Sequence, residues 1–197
     1  MKRIIASSIT ALALVSSAHG STILFDLIGT GGVGLLATNE PQPMPFPTNS
    51  SGGEVGSGIS YDDVTKILTV NVGWGSSQGF NDLSSLANNS HIHGPTANPN
   101  GNNGTSDYTQ TASVLFNLNR SSNAVTGGTF TSPSNTITLT AAQQIDLLNG
   151  KYYINVHTAN NGGGEMRGFL VAVPEPSGAG LAVLGAGVML VRRRRCR

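Results

Sequence analysis

One short segment limits the fold of this chain more than any other. In residues 66–74, Leu68, Val70, Val72 and Trp74 alternate with polar or small residues. Side chains two positions apart in a β-strand lie on the same face of the sheet. The alternation therefore predicts a strand with one buried face and one exposed face.

Other segments predict further strands, so we expect a mainly β, antiparallel domain. The 26 glycines and 9 prolines, with only 11% charged residues, favour turns and long polar loops between the strands. A short turn at residues 160–164 would make the last two strands a hairpin. The predicted strands are 23–28, 31–36, 58–61, 113–118, 128–131, 136–139, 152–157 and 165–171.

One segment interrupts this β pattern with a predicted helix. The sequence Thr-Ala-Ala-Gln at residues 140–143 has the spacing of a capping box, in which the threonine and glutamine side chains bond each other's backbone amides. We predict a helix over residues 141–149, with Ile145, Leu147 and Leu148 on its buried side.

The N-terminus has the order of a secretory signal peptide. Lys2 and Arg3 precede an apolar stretch at residues 4–15, which is shorter than the roughly 20 residues of a membrane-spanning helix. Small residues follow, and we predict that signal peptidase cleaves after Gly20 or Ala18. The chain is therefore expected to be exported across a bacterial-type inner membrane.

The C-terminus combines a proline motif, an apolar run and a cluster of arginines. The apolar run, residues 178–191, would be roughly 21 Å long as a helix, against a hydrocarbon core of about 30 Å. The positive cluster would hold the C-terminus, residues 192–197, in the cytoplasm. The motif residues are Pro174, Glu175 and Pro176, and the cluster includes Arg192, Arg193, Arg194 and Arg195.

This three-part order over residues 173–197 resembles the PEP-CTERM sorting signal of Gram-negative bacteria. The resemblance implies recognition and cleavage by an exosortase at the inner membrane, with which the precursor would associate transiently. It also implies release of the body to the cell surface or an extracellular polymer matrix. An ordinary C-terminal membrane anchor is the alternative, but it does not account for the Pro-Glu-Pro motif.

Charge and cysteine usage exclude several function classes. Seven of the eleven basic residues lie in the two terminal segments, whereas all ten acidic residues lie between Asp26 and Glu175. The exported body is therefore acidic, which argues against nucleic acid as a partner. The single cysteine, Cys196, lies in the C-terminal tail. The body accordingly has no disulfide and no thiol chemistry.

Several motifs of the body resemble the CHRD domain, most strongly over residues 55–171. The resemblance implies an immunoglobulin-like sandwich or barrel with an interaction role and no established enzymatic activity. Together with the two terminal patterns, this resemblance divides the chain into a signal peptide (1–20), a CHRD-like domain (21–171) and a sorting segment (172–197). The motifs are LTVNVGW at 68–74, SHIHGP at 90–95, TLT at 138–140 ahead of LL at 147–148, GKYYINVHT at 150–158 and GEMRG at 164–168.

The histidines of these motifs form a candidate metal site. His91 and His93 would share one strand face, and pairing in the last hairpin would bring Glu165 opposite His157. Three imidazoles can hold zinc or copper, with Glu165 as fourth ligand or as the residue that orients a ligand. With an open coordination position, such a site can also activate water.

A structural role for the same residues is the alternative. Glu165, Arg167 and His157 can form a hydrogen-bonded network that ties the hairpin to the strand of His91 and His93, without any cofactor. Two function classes follow. One is a non-catalytic surface or matrix protein that binds an unidentified protein or extracellular polymer, with no catalytic residues. The other is an exported metal-binding protein or metal-dependent enzyme that uses the three histidines.

Overall fold

The computed structural model describes residues 20–41, 43–101 and 106–174. The predicted signal peptide before Gly20, and the sorting segment after Pro174, lie outside the described residues. The described part contains one α-helix, α1 (Ala141–Leu148), and two 3₁₀ turns, Ala37–Asn39 and Ser76–Gln78. Its strands are β1 (Thr22–Gly29), β2 (Gly32–Val33), β3 (Leu35–Leu36), β4 (Ser51–Glu54), β5 (Ile59–Asp62), β6 (Ile67–Thr69), β7 (Val72–Trp74), β8 (Ala87–His93), β9 (Val114–Asn117), β10 (Gly128–Phe130), β11 (Thr136–Thr138), β12 (Tyr153–Thr158) and β13 (Met166–Ala172).

The strands form one branched sheet that folds around a single main core. Its longest path runs β10-β7-β4-β3-β13-β1-β5-β6-β11, and β12, β8 and β9 extend from β13 in that order. The strand pairs along this path and its branch are antiparallel. The predicted class, a mainly β antiparallel fold with one short helix, is confirmed within the described residues.

The alternating segment that defines the predicted core is buried as expected, but it forms two strands. Leu68, Val70, Val72 and Trp74 have no exposed surface. Between β6 and β7 the chain changes partners, from β5 and β11 to β4 and β10. Asn71 stabilises the interruption between β6 and β7. Its side-chain Nδ2 donates to Gly58 O at 2.9 Å, and its Oδ1 accepts from Ser132 N at 2.9 Å.

One strand, β4, was not predicted, because its sequence Ser-Gly-Gly-Glu carries no apolar alternation. Its glycines are needed for close approach to the neighbouring strand. A Cβ on Gly52 would lie 2.5 Å from the carbonyl oxygen of Gly73. The predicted strand over residues 31–36 is likewise split, into β2 and β3, at Gly34, which has a φ of +115°.

The helix begins at the predicted capping box and buries less than predicted. Thr140 Oγ1 accepts from Gln143 N at 3.3 Å, and Gln143 Oε1 accepts from Thr140 N at 2.9 Å. Leu147 is fully buried, whereas Ile145 is 61% exposed and Leu148 is 40% exposed. The prediction of three buried side chains was therefore wrong for two of them: only one side chain of this two-turn helix reaches the core.

The ladder β8-β12-β13 carries the main core on one face and a polar cluster on the other. Ile92, Ile154 and Val156 point into the main core. On the opposite face, the register places Tyr153 between His93 and Phe169, and Asn155 between His91 and Arg167. Within the described residues, no helix has the length and apolar character needed to cross a membrane.

Candidate metal site

The pairing of β8 with β12 brings three histidine rings together on the second face of the ladder. We call His91, His93 and His157 the histidine cluster. One ring nitrogen from each residue lies within 4.8 Å of the corresponding nitrogens of the other two. His91 Nδ1 lies 3.2 Å from His157 Nε2. The ring centroids are 5.0 to 5.8 Å apart.

Backbone carbonyls fix the orientation of two of these rings. His93 Nδ1 lies 2.9 Å from Ala112 O, and His157 Nδ1 lies 2.9 Å from Gly162 O. A carbonyl only accepts, so each Nδ1 carries the proton and each neutral ring has its lone pair on Nε2. Among the described residues, the buried Nε2 of His93 has no hydrogen-bond partner. Two lone pairs are thus directed by the fold, and one of them is unused.

The three rings are held in the neutral form. Burial lowers the pKa of each histidine below its usual value. For His91, burial and then the neighbouring His157 and His93 lower the pKa to about 4. Only the neutral imidazole binds a metal ion, so at neutral pH these rings need no net deprotonation to bind one. His91 Nδ1 donates to the lone pair of His157 Nε2, so to act as a ligand through Nδ1 the His91 ring has to move its proton to Nε2.

An aromatic stack further restricts His93. Its ring lies parallel to the ring of Tyr153, with an interplanar angle of 3° and centroids 4.9 Å apart. The Tyr153 hydroxyl accepts a hydrogen bond from Ala112 N at 3.2 Å. The carbonyl of Ala112 also accepts from His93 Nδ1. The stack and the shared anchor leave His93 little rotational freedom.

Glu165, predicted as a fourth ligand or orienting residue, lies in a different cluster. Its Oε1 accepts from Ser50 Oγ and Ser84 N, and its Oε2 accepts from Ser84 Oγ, Thr158 Oγ1 and Asn161 Nδ2, at 2.5 to 3.3 Å. A carboxylate has about four lone-pair sites, so these five donors saturate it. We call Glu165 and these four partners the Glu165 cluster.

The charge of Glu165 is stabilised within this cluster. Burial alone would raise the pKa of Glu165, but the hydrogen bonds from Ser50, Ser84 and Thr158 outweigh burial and lower it. The carboxylate is therefore ionised at neutral pH and is directed to hydroxyl and amide donors. It is not aimed at the histidine rings, which corrects the predicted site.

Arg167 also lies apart from Glu165, so the predicted Glu165–Arg167–His157 network does not form. The Arg167 guanidinium lies over the ring of Tyr153, 4.1 Å from its centroid, and 5.1 Å from the centroid of Phe169. It donates a hydrogen bond to Gln110 O. Arg167 thus belongs to the face that carries the histidine cluster, next to His93 and Tyr153.

Sequence reasoning missed a cavity of about 340 Å³ beside the histidine cluster. Burial raises the pKa of Glu40 to about 7, against the lowering effect of Arg167 and Asn155. Asn155 was detectable as a strand neighbour on the face of His157, but Glu40 comes from a distant loop without a motif. The polar lining residues include Glu40, His93, Thr111, Tyr153, Asn155 and Arg167.

Comparison with known protein families identifies one match. The family model described as the CHRD domain matches residues 36–170. No curated protein and no solved structure matches the chain. The matched range contains the histidine cluster, the Glu165 cluster and Arg167.

Proposed function

The chain belongs to the CHRD domain family, and from that premise we propose that it is an exported, non-catalytic binding protein whose domain holds a zinc or copper ion. The ligands are His91, His93 and His157. The observation that carries this proposal is the convergence of three imidazole nitrogens within 4.8 Å of one another.

The spacing of the nitrogens supports a metal centre. Ligand nitrogens at 2.0–2.1 Å from a tetrahedral or trigonal ion lie about 3.3 to 3.6 Å from each other. The pair His91 Nδ1 and His157 Nε2, hydrogen-bonded in this structure, is 3.2 Å apart, which is close to this separation. His93 Nε2, buried and without a partner among the described residues, is the third ligand. The three ligand atoms lie within 4.8 Å of one another, so the rings close by roughly 1 Å in total to reach metal spacing.

The chemistry of the ligands narrows the choice of ion. Neutral imidazole suits zinc and copper, whereas calcium and magnesium prefer oxygen ligands. The carbonyls of Ala112 and Gly162 accept from the Nδ1–H groups of His93 and His157. Such contacts orient the ligating rings and raise the basicity of their metal-binding nitrogens. When bound, the ion supplies a positive charge and an open coordination position on this face of the domain.

Metal analysis of the purified full chain tests this proposal. We expect about one zinc or copper ion per chain after equilibration with either metal and removal of the excess. The variant His93→Ala should lose binding by at least about a hundredfold, and Asn88→Ala, an exposed position on the same strand, should not. Equal metal binding by wild type and His93→Ala would contradict the proposal.

Export and sorting complete the proposed function. We infer that signal peptidase removes residues 1–20 and that an exosortase cleaves near Pro174, Glu175 and Pro176. The body then reaches the cell surface or extracellular matrix, where it binds another protein or a polymer. The support is the order of charge, apolar run and proline motif at the two ends.

Intact-mass measurement on protein recovered from the cell surface tests the sorting proposal. We expect a mass that lacks both residues 1–20 and the arginine tail, residues 192–197. Surface protein that retains the tail would favour an ordinary membrane anchor. This result would leave the metal proposal unaffected, since the histidine cluster is built from β8 and β12 alone.

A further inference from the structure

The cavity beside the histidine cluster contains a buried cation whose hydrogen-bonding capacity is mostly unused. Arg167 is 1% exposed and lines the cavity. A guanidinium has five N–H donors, and within the described residues Arg167 donates only to Gln110 O. Its Nε is buried and has no acceptor in the described part of the chain. An unsatisfied charged donor in such a position is costly unless a ligand or water completes it.

A buried acceptor without a donor lies directly across the strand from this cation. Asn155 is 3% exposed and lines the same cavity, and its Oδ1 has no hydrogen-bond partner among the described residues. Asn155 and Arg167 are paired in the β12–β13 register. Directly paired residues have their Cβ atoms about 4.5 to 5.5 Å apart on one face. One small ligand can therefore contact both groups.

We propose that this cavity binds a small carboxylate that carries a hydrogen-bond donor on the neighbouring carbon, as in a 2-hydroxy acid or a 2-amino acid. The carboxylate accepts from the free N–H groups of Arg167, which match its geometry in a fork. The adjacent hydroxyl or ammonium donates to Asn155 Oδ1. The volume of about 340 Å³ admits a ligand of this size and excludes a folded chain.

The surrounding residues support an anionic ligand. Tyr153 and Phe169 form an aromatic floor under the guanidinium and hold it in place. Glu40 lines the same cavity, but its raised pKa of about 7 means that its carboxyl group is substantially protonated near neutral pH. The charge of Arg167 is therefore only partly neutralised from within the protein.

Calorimetric titration of the full chain with four probes tests the inference, first in metal-free and then in zinc-loaded protein. We expect glycolate or glycine to bind, and to bind about tenfold more tightly than acetate, which lacks the donor for Asn155. Ethylene glycol, which lacks the carboxylate, should not bind. Preference for glycolate over glycine identifies 2-hydroxy acids as the ligand class, and the reverse preference identifies 2-amino acids.

Two variants and one mapping experiment locate the binding. Arg167→Lys keeps the charge but loses the fork, and should weaken binding about tenfold or more. Arg120→Lys, the same change at a half-buried arginine that does not line the cavity, should leave binding unchanged. In wild-type protein, amide chemical shifts of Ala112, Gly163 and Gly164 should move, since these residues line the cavity.

Absence of binding by both glycolate and glycine, or shift changes confined to another region, would overturn the inference. Should Arg167→Lys fail to fold, the shift mapping on wild-type protein still decides. Binding in metal-free protein separates this site from the metal site. Loss of the metal proposal therefore would not remove this one, and failure here would leave the metal proposal standing.

Discussion

The histidine cluster and the Glu165 cluster both involve the hairpin of β12 and β13, yet they differ in how their polar groups are satisfied. In the Glu165 cluster, five donors surround one carboxylate, and each bond is 3.3 Å or shorter. In the histidine cluster, two Nδ1–H groups are anchored while the His93 Nε2 is left without a partner in the described residues.

Under the proposed function, this difference distinguishes a cluster that stabilises the fold from one that binds a ligand. A saturated buried network lowers the energy of the fold and has no capacity left for a ligand. Buried atoms without partners cost stability unless a ligand or water completes them. The same contrast extends to the neighbouring cavity, where Arg167 Nε and Asn155 Oδ1 are buried and have no partner in the part of the chain that the structure describes.

The strongest way to break the comparison is to disable the Glu165 carboxylate. In Glu165→Gln, one acceptor oxygen is replaced by an NH2 group, which faces donors that need an acceptor. We expect a loss of about 3 kcal/mol in the free energy of unfolding. Urea denaturation of metal-free protein measures this loss. The matched control Glu54→Gln, where the carboxylate accepts one bond from Leu27 N, should cost about 1 kcal/mol. Equal losses in the two variants would contradict the interpretation of the Glu165 cluster as a saturated, stabilising network.

Metal addition tests the other side of the comparison. Zinc at a free concentration of one hundred times its Kd should stabilise wild-type protein by about 2.7 kcal/mol. His157→Ala should show no such gain, because it removes one of the three ligands, while Glu165→Gln should retain the gain in full. Thermal unfolding with and without zinc gives both values. A zinc effect that disappears in Glu165→Gln would show that the two clusters are not separate.

Local sequence pattern predicts much of the fold but only part of the candidate site. The alternation in residues 66–74 specifies burial because each side chain's face depends only on its neighbours along the strand. The same rule places His91 and His93 on one face. It fails for Glu165, because β13 begins at Met166 and alternation does not extend into the turn. In the turn, the orientation of the Glu165 carboxylate is set by its hydrogen-bond donors. Two of these, Ser50 and Ser84, are distant in the sequence.

The cavity could not be predicted from local sequence pattern, because its residues come from distant segments of the chain. Glu40 and Met44 come from a loop before β4, whereas Asn155 and Arg167 come from the last hairpin. Their proximity depends on the path of β3 and β13 in the sheet, and neither periodicity nor residue spacing encodes that path. Strand β4 was missed for a related reason, since its small residues fit between neighbours rather than contribute apolar surface.

A third prediction concerns how the stability of the protein depends on pH near the cavity and the histidine cluster. Burial raises the pKa of Glu40 from 4.5 to about 7. The folded state thus binds more protons than the unfolded state between these values, so this group's contribution to stability falls as pH rises from about 4.5 to 7. The lowered pKa values of the histidines act in the opposite direction, with stability lost as pH falls below 6.5.

The variant Glu40→Gln isolates the carboxyl group, because the histidines are common to both proteins. The stability of wild type relative to Glu40→Gln should fall by about 3 kcal/mol between pH 4.5 and pH 8. Urea denaturation at half-unit intervals of pH measures the difference. A difference that does not change with pH would show that Glu40 titrates as an ordinary surface carboxyl group.

The loops around the histidine cluster and Arg167 accept hydrogen bonds from these side chains through main-chain carbonyls. Gln110 accepts from Arg167, Ala112 from His93 and Gly162 from His157. Every amino acid carries the same carbonyl group. Mutations at these three loop positions can therefore accumulate without altering the partners offered to the rings, and the site can persist in lineages whose loop sequences have drifted apart.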